Sequence, residues 1–259
     1  MFGVVTRNTD ACDEFDPAFY EVKDVTGRRE KPVEKAHNMV SVFADNRAVE
    51  DDKTLAPVNE EGERATRNHE MFDWDYVCPT SNYKDEMLDL IKECDLGEGV
   101  RLDTIGFPRE GYCRCERCLN EFRDSELEWN EWRASVITDF LESAAELVES
   151  RLSLTLYPDP FEDHQYSRFG LDLKRASEIV DFFVVPIYDM AYATTHWLET
   201  LTWGFKDALE EPFYTELYAP PPVEHEELVK ATRVALRHSD GVLFAYNDEG
   251  ARSVIEELK

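Results

Sequence analysis

The chain has 259 residues, 42% of them hydrophobic, which is enough for one large domain with a proper core and excludes wholesale disorder. It carries 56 acidic against 28 basic residues, a net charge of −28 spread along its whole length. Such a coat repels phosphates, which argues against a nucleic-acid partner. It also marks a halophilic-type protein whose self-repulsion is relieved by salt.

The predicted elements alternate between strand and helix. Strands are expected at residues 3–6, 39–44, 76–78, 99–105, 153–158, 182–188, 213–218 and 242–246, all short and rich in β-branched and aromatic residues. Amphipathic helical patterns fall at 83–94, 129–152, 171–180, 194–209, 224–238 and 249–258. Residues 8–38 show no clear helix. Residues 47–75 read as a long acidic loop between strands two and three, expected to lie over the mouth of the fold. Strand–helix alternation over a single domain, 1–259, predicts an α/β fold of the (β/α)8 TIM-barrel type, with an open doubly wound sheet as the alternative. No apolar run reaches the roughly 20 residues of a membrane span. Residues 1–7 lack the basic and apolar segments of a signal peptide. The expected location is the cytoplasm, with no membrane partner.

Period-2 alternation points certain side chains at the mouth. If the apolar faces of the strands pack on helices, Asp103, Asp159 and Glu216 face inward near the C-terminal strand ends, and Asp189 follows strand six in the same way. An acid after a strand is often the N-cap of the next helix, and that reading competes for Asp189. Glu216 differs, because it lies inside an aromatic-rich strand with no helix start beside it. A buried glutamate is costly unless it is paired or functional. Tyr157, Tyr188, Tyr214 and Tyr218 are candidates to stack on a ligand ring, core packing being the plainer alternative for each.

Cys113-Arg114-Cys115-Glu116-Arg117-Cys118 is a C-x-C-x-x-C cluster. Three soft ligands at this spacing suit a structural zinc in a reducing compartment better than disulfides. Cys78 is the best fourth ligand, because it ends the expected strand at 76–78 adjacent to strand four; Cys12 is a second option, and Cys94 reads as a core thiol. The expected role is a staple on the loop that carries Glu110. No organic cofactor is expected.

In order, Val77-Cys78-Pro79-Thr80, Leu102-Asp103-Thr104-Ile105, the cysteine cluster, Val185-Pro186-Ile187-Tyr188-Asp189-Met190 and Tyr214-Thr215-Glu216-Leu217-Tyr218 resemble the glycoside-hydrolase-like (β/α)8 barrels over roughly residues 70–250. The cysteine loop is similar to the zinc-cluster loop of family 42 β-galactosidases. The resemblance implies a carbohydrate substrate, with an acid/base at the end of strand four and a nucleophile at the end of strand seven. Those places are held by Asp103 and Glu216. That clan uses an Asn-Glu pair where this chain has Leu102-Asp103, which leaves Glu110 as an alternative acid. The separation of the two carboxyls, roughly 5 Å or roughly 6.5–9.5 Å, sets retention or inversion. A Glu216 tied up in a buried ion pair would sink the Asp103–Glu216 mechanism and move attention to Glu110 or to a non-catalytic role. Arg109, with Arg101 and His164, is a candidate for binding an anionic substituent such as a uronate. Two other functions stay open: a non-catalytic carbohydrate-binding barrel, and a metal-dependent sugar isomerase or lyase, for which the six histidines offer no ligand-spaced pair.

Overall fold

The computed structural model describes all residues, 1–259. Eight parallel strands close into a barrel in sequence order, a TIM barrel. They are β1 (Phe2–Thr6), β2 (Ala18–Lys23), β3 (His37–Ser41), β4 (Gly99–Asp103), β5 (Arg151–Thr155), β6 (Phe182–Pro186), β7 (Phe213–Tyr218) and β8 (Gly241–Ala245). The helices are α1 (Thr9–Glu14), α2 (Asn46–Asp51), α3 (Tyr83–Cys94), α4 (Glu116–Ser125), α5 (Trp129–Leu147), α6 (Glu162–His164), α7 (Leu173–Ser177), α8 (His196–Ala208), α9 (His225–Ala235) and α10 (Asp248–Leu258). No helix separates β2 from β3. No helix is long and apolar enough to cross a membrane.

Period-2 alternation divides the apolar residues into two bodies. The larger, of 61 buried residues, fills the space between strands and helices and includes Val100, Leu102, Phe213 and Leu217. The smaller, of eight, plugs the barrel lumen: Val5, Phe19, Met39, Phe182, Val184, Tyr214, Leu243 and Ala245. The inward positions above this plug therefore carry the polar side chains of the mouth.

Two strand assignments differ from the sequence expectation. β2 was not expected, because Glu21 and Lys23 give it a polar look. Both are buried, and both are compensated. Lys23 Nζ donates to Ser41 O (2.7 Å) and Ala44 O (2.9 Å) and lies 3.3 Å from Asp45 Oδ2. Conversely, residues 76–78 form no barrel strand; Tyr76 makes only an isolated antiparallel bridge to Ala44. Their apolar character serves packing against the cysteine loop. The errors cancel from strand four onward, but the long loop lies between β3 and β4, not between strands two and three. The helix expected at 129–152 stops at Leu147, since Arg151 already begins β5.

Candidate active site

At the C-terminal mouth lies a cleft of about 470 Å³. Its charged lining consists of Arg7, Glu21, Asp24, Arg101, Asp103 and Glu216, and its rings are Trp74, Tyr157, Tyr188 and Tyr246. Strand register explains the convergence: Asp103 pairs in the ladder with Ser41, and Glu216 with Pro186 and Leu243.

Arg101 is the centre of the arrangement. It is 1% exposed, and its ring of neighbours includes Phe19 below, 5.5 Å from the guanidinium carbon. Its Nε donates to Thr155 Oγ1 at 2.9 Å, and its Nη1 lies 2.5 Å from Glu216 Oε2. That contact is a buried ion pair that commits both atoms to each other. Tyr188 Oη donates to Glu216 Oε1. Asp103 has no ion-pair contact of its own, only the weaker help of the Thr155 hydroxyl and the Thr104 backbone. Burial pushes its carboxyl above the usual range; Arg101 opposes this and the charge of Glu216 adds to it. One carboxyl thus holds its proton to higher pH than an ordinary aspartate, while its neighbour is matched to a cation.

A third inward acid, Glu21 on β2, was missed in the sequence together with its strand. It accepts from Arg7 Nε and from Tyr246 Oη (3.0 Å), and burial raises its pKa. The alternating Phe19-Tyr20-Glu21-Val22 was the signal available.

Two residues that aim side chains here have left-handed backbones, Thr104 after β4 (φ 52°) and Tyr246 after β8 (φ 64°). Such conformations are unfavourable for non-glycine residues and cluster at functional sites. Thr104 is fixed by a 2.5 Å hydrogen bond between its hydroxyl and that of Ser41.

Of the other sequence candidates, Tyr157 and Tyr188 line the cleft with Asp103 and Glu216. Tyr157 stacks on Phe169, centroids 3.9 Å apart. Tyr214 belongs to the lumen plug below. Tyr218 packs against Tyr188 at 5.7 Å and does not line the cleft. Asp159 is engaged by Arg168 (3.1 Å) and His164 (3.0 Å). Asp189 is half-buried and accepts from Ala191 N, a local turn contact. Glu110 and Arg109 line a separate depression with Asn59, Glu60, Glu61 and Glu63. Glu110 is largely exposed, 3.6 Å from Arg168.

Cys78, Cys113, Cys115 and Cys118 bring their sulfurs within 4.8 Å of one another. Val58 N (3.4 Å) and Cys115 N (3.5 Å) both donate to Cys113 Sγ. A thiol cluster with backbone N–H groups aimed at a sulfur matches the donor set of a soft metal ion. Cys12 and Cys94 lie elsewhere, and burial pushes their thiols up, to about 11 and about 12. The cluster braces the cleft. Arg114 N donates to Val58 O (2.6 Å), and Phe72 of the long loop packs edge-on against both Tyr112 and Tyr76. Trp74 of the same loop is a wall of the mouth.

No protein-family model matches the chain, and no curated protein does. Solved structures do. The chain is similar to α-L-fucosidase isoenzyme 2 from Paenibacillus thiaminolyticus, with TM-score 0.66 and 10% identity over 98% of this chain and 47% of that one. It is also similar to a class V chitinase from Pseudomonas fluorescens Pf-5, with TM-score 0.56 and 12% identity over 100% and 99%. The Bacillus cereus spore cortex-lytic enzyme SleL matches with TM-score 0.53 and 10% identity over 98% and 73%. The chain spans about half the length of the fucosidase. At these identities the likeness establishes a fold shared with glycoside hydrolases.

Proposed function

We propose that the cleft hydrolyses a glycosidic bond, with Asp103 as general acid and Glu216 as the ionised carboxylate. The observation that carries this reading is one cleft holding two carboxyls from the ends of β4 and β7 in contrasting surroundings. Glu216 has Arg101 and the Tyr188 hydroxyl, whereas burial favours the proton on Asp103. Glycoside cleavage needs one acid that keeps its proton and one that does not. Trp74, Tyr157 and Tyr188 offer ring faces to a sugar.

The Arg101–Glu216 contact is the buried ion pair that the sequence reading set against this mechanism; Glu216 still lines the open cleft with Asp103, and the pair favours a second reading. A glutamate held by a buried arginine is a weakened nucleophile, as fits a carbohydrate-binding barrel without chemistry. No observation favours the isomerase or lyase, because the cysteines are the one place where three or more ligating side chains converge within reach of an ion. A panel of aryl glycosides and oligosaccharides, assayed at high salt with proton NMR of the released anomer, tests the choice. Hydrolysis by the wild type that Glu216→Gln abolishes, and that Asp103→Asn slows most on the oligosaccharides, supports the enzyme. Saccharide binding without hydrolysis by the wild type rejects it in favour of the binding barrel.

Within this proposal the four cysteines hold a structural zinc, in a reducing, cytoplasmic setting. Four thiol donors close a tetrahedral site and leave no open position for chemistry. Bound there, the ion cross-links the loop after β4 to Cys78, at the end of the long loop.

A further inference from the structure

We infer that the cleft selects uncharged sugars and discriminates against acidic ones. This rests on the cleft being a carbohydrate site, and it names the substrate class of that site. The six charged residues of the lining are four acids and two arginines. Neither arginine is free. Arg101 is paired with Glu216, and Arg7 is paired with both Glu21 and Asp24. Glu21, Asp24 and Glu216 are each at most 7% exposed, so these pairs are weakly screened. A uronate or sulfated ring entering the cleft finds no unpaired cation. It must either displace a built-in carboxylate from its arginine or remain a partly desolvated, unpaired charge beside Asp103. Either course is costly. Arg109, the sequence candidate for binding an anionic substituent, lines the separate depression with Glu110 and not this cleft.

Neutral rings meet the opposite situation. A neutral ring brings no charge to desolvate, and its hydroxyls can donate to carboxylate lone pairs of the lining, those of the partly exposed Asp103 first. The two arginines differ in one respect that makes the idea testable. The Arg7 side chain is 48% exposed, so removing the charge of Glu21 leaves it only the longer contact to Asp24 and frees part of its charge for a ligand, while Arg101 stays buried.

The test is titration calorimetry at fixed high salt with the full chain. The probes are chito-, manno- and xylo-oligosaccharides against oligogalacturonate of matched length. The expected result is wild-type affinity for the best neutral oligosaccharide about tenfold or more above that for oligogalacturonate. Glu21→Gln, which still accepts from Tyr246, narrows that ratio severalfold by raising oligogalacturonate affinity. Asp24→Asn narrows it in the same direction and serves should the first variant not fold. Oligogalacturonate binding as tightly as the best neutral sugar overturns the inference, as does a ratio unmoved by either variant or no saccharide binding at all. Selective binding of neutral sugars without hydrolysis leaves it standing and rejects only the catalytic reading.

Discussion

Arg101 and Glu216 lie on β4 and β7, three strands apart in the barrel wall, yet meet across the lumen at 2.5 Å. The pair caps the apolar plug and forms the floor of the cleft. Removing the cation leaves a buried carboxylate uncompensated, which costs about 3–5 kcal/mol. Arg101→Met is therefore expected to lower stability by that amount in denaturant titrations. Arg101→Met with Glu216→Gln is expected to recover a large part of it, since the orphaned charge is gone. Strictly additive losses would show that the pair is not coupled.

Asp103 gives the reaction its pH dependence. Its raised pKa keeps the general acid protonated to higher pH than an ordinary aspartate, so activity is present at low pH and falls as pH rises through that value. Asp103→Asn is expected to remove this alkaline limb and to slow cleavage about 10²–10⁴-fold on poor leaving groups. Aryl glycosides with activated leaving groups, which need little protonation, should lose far less. An equal loss on both classes would deny Asp103 the role of acid.

The cysteine centre is testable without any substrate. Native mass spectrometry is expected to find one zinc per chain. Serine at position 78, 113, 115 or 118 removes the metal, while Cys12→Ser and Cys94→Ser retain it. Because Val58 and Arg114 tie the long loop to the cysteine loop, metal loss should also raise hydrogen exchange across residues 56–76. Unchanged exchange after chelation would separate the metal from the cleft wall.

His37 sits in the lumen, stacked on Phe19 at 4.7 Å, and burial lowers its pKa to about 4, with Arg151 and Arg101 assisting. It folds neutral, while the unfolded chain takes up a proton near pH 6.5. Stability is therefore lost as pH falls from about 6.5 towards 4, by up to about 3 kcal/mol. His37→Gln should flatten the stability profile in that window. If the slope persists, other groups carry it.

The net charge of −28 predicts a melting temperature that climbs with potassium chloride, as screening relieves repulsion across the surface. A melting temperature independent of salt would argue that the acids are balanced locally.

The fold was legible in the sequence wherever one face of an element is apolar. Helix α3 was expected at its observed bounds, and β7 likewise, because their apolar residues keep strict periods. The inward direction of Asp103 and Glu216 followed from the same alternation. β2 was hidden because its two charges are compensated by residues distant in sequence, Arg7 and Asp45, and no local pattern expresses such pairing. The engagement of Glu216 by Arg101 was hidden for the same reason: both residues were noticed, but only the closed barrel brings them face to face. Cys78 was found as the fourth thiol through a strand that does not exist; its chain neighbourhood was right although the element was not.

Thr104 shows what it costs to hold an acid still. Glycine at this position would relax the left-handed backbone, to the benefit of folding. It would also remove the hydroxyl that moors the turn to Ser41 and give the adjacent Asp103 a wider arc to sweep. At this one residue, the sequence best suited to folding and the sequence best suited to aiming the carboxyl are different sequences. The chain carries the second.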